Sequence, residues 1–341
     1  MKFNKKYTLD FAEKILKIDS PSGFTSNAIS FLQKEAKRLG FKTSVTQKGN
    51  LIIEVEGKSK EARGVCAHTD TLGLMVRSIK ADGKLAVTKV GGPIMNTLDS
   101  EYCRIYTRDG KIYTGTILST SPSIHVHKDA TTLARNEDTM EIRIDEVVKT
   151  KEDVEKLGIM NGDFIAIETK TEITPSGFIK SRFLDDKLSV AILFSVLEHI
   201  SKNKIKLAKK TYFMITVYEE VGHGGAWIPE DIKELLGVDM GCIGTDLACT
   251  EYDVSICAKD SSGPYDYQMT SKLIDIAKKE KLNYAVDIYP MYGSDVSTAL
   301  SSSNNIKGAL IGPGVHASHG MERSHIQAVE ASVKLLFEYL K

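Results

Sequence analysis

Over residues 25–39 the apolar positions Ile29, Leu32, Ala36 and Leu39 recur at helical spacing, with Thr25 placed to cap the first turn and Gly40 to end it. Three short runs rich in strand formers follow, FKTSVTQ, LIIEVEG and GVCAH. From about residue 72 to 168 strand and turn signals become dense, as in DGKLAVTKVGG, DGKIYTGTIL and GDFIAIETK. The one helical piece there falls near residues 151–157. After Ser181 helices and strands alternate. The order is a helix DDKLSVAILFSVLEHISK, a strand TYFMITVY, a short helix over 229–236, and strands MGCIGTD and YDVSICAK. A helix over 265–281, a strand YAVDIYP, a short helix after Ser294, a strand IKGALIG and a closing helix over about 323–340 complete the chain. This alternation predicts an α/β layer with a mixed, largely parallel sheet flanked by helices. The β-rich stretch then reads as an insertion: residues 1–71 and 169–341 form the α/β domain, and 72–168 a second one.

Composition narrows the function. Across 341 residues, 45 basic side chains balance 45 acidic ones, which argues against a broad basic surface for nucleic acid or anionic lipid. The N-terminal segment interrupts its apolar residues with Asp10, Glu13 and Lys14, unlike a signal peptide, and no apolar run is long enough to span a bilayer. Five cysteines, an odd number without CxxC pairing, read as reduced thiols of a cytoplasmic protein.

In open α/β sheets ligands bind beyond the carboxyl ends of the strands. His68 and Asp70 follow GVCA, Glu219 and Glu220 follow TYFMITVY, Asp246 follows CIGT, and His319 follows ALIGPG. Asp185 and Asp186 precede a long helix. Such His and carboxylate donors from separated segments, with no thiolate, suit zinc, cobalt or manganese in an open catalytic site. A pair of cations needs a bridging carboxylate and two further ligands each. Asp185 can bridge, with His68 and Asp246 on one side and Glu220 and His319 on the other. Neighbouring residues at a strand end point apart, so Glu219 is left free as a general base. Asp70, two residues from His68, can accept the second imidazole N–H.

Each feature has a plainer reading alone. Asp-Asp can cap a helix, Glu-Glu can be solvated, and Asp246 can be a turn residue. The argument rests on their convergence at strand ends of one domain. His316, His319 and His325 compete for the last ligand position. His125 and His127 in SIHVHKD read as surface residues sharing one sheet face, His223 as a residue lining the site, and Asp295 as a helix cap.

Taken in order, AHTDTLG, SRFLDDK, YEEVGHGG, GTD and SHGMERSH resemble the tetrahedral-assembly (TET-like) di-metal glutamyl and leucyl aminopeptidases, also described as endoglucanase-like. The resemblance spans essentially the whole chain. It implies a phosphorylase/hydrolase-like di-zinc peptidase domain with a small inserted β-barrel-like dimerisation domain, two divalent ions (zinc first, then cobalt or manganese), and peptide substrates. A homo-oligomer, in the family often a tetrahedral dodecamer, is also implied. By the same resemblance His68, Asp185, Glu220, Asp246 and His319 are metal ligands, Glu219 the base and Asp70 the residue orienting His68. The chain departs from the family pattern at Lys187, Ser189 and Thr71 and in its last motif. The alternatives to an aminopeptidase are a di-metal deacylase of N-acylated amino acids and a non-catalytic metal-binding assembly module.

Overall fold

The computed structural model describes all 341 residues. The chain parts into two compact units, Met1–Asp70 with Lys170–Lys341, and Thr71–Thr169. The first unit is built on a mixed ten-stranded sheet. At its centre Leu207–Thr216, Gly57–His68, Ile232–Val238 and Lys307–Val315 lie side by side and parallel. Leu51–Val55 joins one flank antiparallel, with Lys42–Val45 outside it, and Val254–Asp260 joins the other.

Period-2 alternation sends successive side chains to opposite faces. Leu51, Ile53, Phe213 and Ile215 enter one core, which also holds Phe11, Leu188, Phe194 and Leu336 from the helices Lys5–Leu16, Leu184–Asn203 and Ile326–Leu340. Ile52, Tyr212, Met214 and Leu235 enter the other, against Val296 and Ala299 of the helix Asp295–Ser301. Leu184–Asn203 is buried almost all round, as a helix must be when it is enclosed by its neighbours. No helix is long and apolar enough to cross a membrane.

The second unit is a closed six-stranded barrel in the order Gly73–Ile79, Leu85–Val90, Met140–Ile144, Ile112–Ser119, Tyr102–Tyr106 and Phe164–Ile167. Its interior is filled by Leu74, Val87, Ile105, Ile117, Ile142 and Ile165, all buried, as expected of a barrel this narrow.

Three local expectations are corrected. Residues 229–236 do not form a helix: Pro229 accepts a turn hydrogen bond from Ile232, and Ile232–Val238 is a central strand. Its apolar run is short, and so fits either period; burial between two parallel neighbours decides for the strand. MGCIGTD is extended only at Gly241–Cys242. The closing helix starts at Ile326, because Glu322–His325 pairs with Phe178–Ser181.

Candidate metal centre

Parallel strands bring their carboxyl ends to one edge of the sheet. His68 ends its strand with Thr216 beside it in register. Glu219 and Glu220 form a single helical turn beyond Thr216, entered through Tyr218 at φ 77°. Asp239 follows Val238. Asp185 sits at a kink where the helix backbone is not yet helical (φ −75°, ψ 102°), joined to Asp186 by a cis peptide. His319 lies on the loop between Lys307–Val315 and Glu322–His325.

The carboxylate of Asp185 faces two histidines. Its Oδ1 is 3.2 Å from His68 Nε2, and its Oδ2 is 3.6 Å from His319 Nε2. Glu219 Oε2 is 3.6 Å from His68 Nε2, and Glu220 Oε2 is 3.6 Å from His319 Nε2. The two neighbouring glutamates therefore address different histidines, although they stand on a turn rather than on an extended strand. Two groups of potential ligands have their atoms within 4.8 Å of one another: His68 with Asp185 and Glu220, and His68 with Asp186 and Asp239.

Buried carboxylates hold the backbone around these groups. His68 Nδ1 is 3.0 Å from the Asp70 carbonyl, which can only accept, so Nδ1 donates to it and Nε2 is the nitrogen turned to the site. The Asp70 carboxylate is farther off, at 3.6 Å. It instead accepts from Glu219 N at 3.2 Å, Glu220 N at 3.3 Å and Ser22 Oγ. The orienting of His68 thus passes through the Asp70 backbone, while its side chain fixes the glutamate turn. Glu322 does the same elsewhere, accepting from Asp185 N and His319 N, each at 3.0 Å. Ser318 Oγ donates to Asp185 Oδ2 at 2.9 Å.

This is a crowd of buried acids with few cations. Burial pushes the Asp186, Glu219 and Glu220 carboxyls well above the usual range, reinforced by neighbouring negative charge from Asp239 and Asp185. Burial, then Asp185, lifts Asp239 to about 7 and Glu322 to about 8. Burial opposes charge on His68, yet Glu219 and Asp185 outweigh it and raise its pKa. Asp185 moves the other way: against its burial, the neighbouring His319 and His68 hold it well below normal. Asp186 Oδ1 and Glu220 Oε1 are buried without a hydrogen-bond partner. Orphaned carboxylate oxygens beside imidazole nitrogens fit divalent cations.

A stability prediction follows from the sign of these shifts. Carboxyls raised in the folded state bind protons that an unfolded carboxyl, with a pKa near ~4, has already released. Their favourable contribution is present below that value and is lost as pH rises through about 7 for Asp239 and about 8 for Glu322. The metal-free protein should therefore melt at a lower temperature at high pH than at mildly acidic pH, and cation loading should flatten the slope. Melting curves across that range, with and without chelator, check this; an upward slope without metal contradicts it.

The other sequence candidates are distributed as follows. Asp246 is exposed at φ 63° and belongs to neither ligand group. Asp239, which sequence reasoning missed, is grouped with His68 and Asp186. Its signal was the acid directly after ELLGV, legible once that run is taken as a strand. His316 is exposed. His325 caps the last helix, accepting from Gln327 N, with Nε2 2.9 Å from the Ser176 carbonyl. Among the three, His319 alone stands beside Asp185 and Glu220. His223 is exposed and stacks on Tyr218. His125 and His127 lie on a loop, not on a sheet face. Asp295 is not the cap of its helix; Ser294 is.

A profile of the M42 glutamyl aminopeptidase family matches residues 49–335. The chain is 46% identical over 336 residues to the Bacillus subtilis (strain 168) protein YhfE, covering 98% of this chain and 97% of that one. Its fold is shared with a TET aminopeptidase from the marine sediment archaeon Thaumarchaeota archaeon SCGC AB-539-E09, with a TM-score of 0.89 at 18% identity over 98% of this chain and 96% of the other. It is likewise shared with the TET1 peptidase of Pyrococcus horikoshii, with a TM-score of 0.84 at 24% identity over 97% and 98%. With a family match across most of its length and a possible metal site at its strand ends, this chain belongs to the M42 glutamyl aminopeptidase family, a family of metallopeptidases.

Proposed function

We propose that the chain removes N-terminal residues from peptides at a centre holding two divalent cations, zinc first with cobalt or manganese as alternatives. The observation that carries this reading is Asp185, whose two oxygens face two different histidines. Asp185 would bridge, with His68 and Asp239 completing one set and Glu220 and His319 the other. Asp239 replaces Asp246 in this assignment because it is buried at a strand end and grouped with His68. When bound, the two ions would supply Lewis-acid activation of a water molecule and of the scissile carbonyl. Glu219, 16% exposed at its side chain and beside His68, would take the water's proton and return it to the leaving amine. Asp70, through its bonds to the Glu219 and Glu220 amides, would keep both glutamates facing the site.

Asp239 and Asp246 give a direct comparison. Asp239→Asn should weaken cation binding by more than about tenfold, since even groups that only orient ligands cost 10–100-fold. Asp246→Asn, on the surface, should leave both binding and turnover nearly unchanged. Titration with zinc distinguishes them, and a reversed order would return the ligand role to Asp246.

The peptidase reading is tested with one peptide in free and N-acetylated form. Hydrolysis should require the free amine and be lost on chelation. Cleavage of only the blocked form would point to the deacylase chemistry instead. The TET1 peptidase of Pyrococcus horikoshii is described as assembling into a tetrahedron or a large octahedral shell. By analogy we infer a homo-oligomer here, up to a tetrahedral dodecamer with a mass twelve times the 37.6 kDa of the chain. Light scattering reads this directly. Five free cysteines accord with the reducing cytoplasm.

A further inference from the structure

Asp295 is the first residue of the helix Asp295–Ser301 but does not cap it. Ser294 Oγ accepts from Val296 N and Ser297 N, and Ser297 Oγ reciprocates to the Ser294 backbone. A carboxylate at 4% exposure with no capping role needs another reason to be there. Its Oδ2 accepts a hydrogen bond from the hydroxyl of Thr216. Thr216 ends the strand that leads into the glutamate turn and lies opposite His68 in register.

The other oxygen, Oδ1, packs on Gly224. A Cβ placed at Gly224 would lie 2.5 Å from this oxygen and 3.0 Å from Glu219 N. At Gly225 a Cβ would lie 2.2 Å from the Asp295 carbonyl oxygen. Only glycines allow the helix start to come this close, which gives the GG of EEVGHGG a purpose other than turning the chain. Asp295 therefore touches the glutamate loop at both ends, at Thr216 before it and at Gly224 and Gly225 after it. Between these fixed points lies the short segment that carries Glu219.

We propose that Asp295 is a positioning residue, which fixes Glu219 for proton transfer by clamping the two ends of its loop. The proposal rests on the reading of Glu219 as the base. A displacement of about 1 Å in a catalytic group can cost on the order of 100-fold in rate. Asp295→Ala should accordingly lower kcat by about 10- to 100-fold at saturating cation, with KM and the number of bound ions unchanged. Asp295→Asn, which keeps an oxygen for Thr216 and the same shape, should recover most of that loss.

The deciding measurement is a double-mutant cycle with Glu219→Gln. If Asp295 acts through Glu219, Asp295→Ala adds no further loss to the residual rate of Glu219→Gln. An equal loss in both backgrounds, an unchanged kcat in the single variant, or a fall in bound cation overturns the proposal. Should Asp295→Ala fail to fold, Thr216→Val removes the same hydrogen bond and runs the same cycle with the same outcomes. Full activity of Glu219→Gln by itself would instead remove the base assignment, a failure visible before Asp295 is touched.

Discussion

Glu219→Gln is expected to bind its full complement of cations and to lose about two to four orders of magnitude in kcat, the range that a positioned general base contributes. The substitution keeps the length and shape of the side chain and removes only its capacity to take up a proton. Glu219 is suited to this role by its neighbours. Its amide is held by Asp70 at 3.2 Å, and its Oε2 lies 3.6 Å from the His68 imidazole. Burial raises its affinity for a proton. Glu220→Gln should behave differently. Glu220 Oε2 faces His319 and its Oε1 has no partner, so this variant should first lose cation, and excess metal should restore part of its rate. Excess metal should do nothing for Glu219→Gln. Equal metal rescue of the two variants would make both of them ligands and leave the site without a base.

The difference between those two glutamates is legible in the sequence only in part. Adjacent acids after a buried strand must diverge, and in the structure they do, but through a helical turn entered at a left-handed Tyr218 that no residue pattern announces. The sheet and the β-rich character of the insertion were readable because their signals are long: alternating strands and helices after Ser181, and dense strand and turn signals before it; the barrel itself was implied only by the resemblance. His68, Asp185 and Glu220, which the fold brings together, stood out because each follows an apolar run or opens a helix. Asp239 did not, and the cause is local. ILL in DIKELLGVD suits a helix as well as a strand, and seven residues are too few for the period to separate them. Reading it as a helix moved the expected strand end forward to GTD, and with it the expected ligand to Asp246. Asp70 and Asp295 illustrate a second limit. Sequence spacing put Asp70 within reach of His68 and gave Asp295 to a helix cap. The Asp70 carboxylate in fact holds the amides of Glu219 and Glu220, 149 and 150 residues away, and that of Asp295 holds the Thr216 hydroxyl, 79 residues away. Partners chosen by tertiary packing leave no trace in local spacing.

Asp185→Asn is expected to lower turnover by more than about a thousandfold, beyond the 10²–10³ lost with a single electrostatic donor, because in the proposed centre one side chain would serve two cation sites. An amide offers one weak acceptor oxygen, whereas the carboxylate offers Oδ1 toward His68 and Oδ2 toward His319. The surroundings are built for a charge at this position: the two histidines beside it hold Asp185 ionised against its burial. Ser318 also donates to Oδ2, and Glu322 anchors the Asp185 amide. Counting ions per chain then separates a bridge from an ordinary ligand. Glu220→Gln and Asp239→Asn should each lose one ion and keep the other, because in the proposed assignment each would belong to one set. Asp185→Asn should weaken both together. Loss of a single ion in Asp185→Asn would mean that its two oxygens serve one site, and the two-cation centre would have to be rebuilt around the second ligand group, His68 with Asp186 and Asp239.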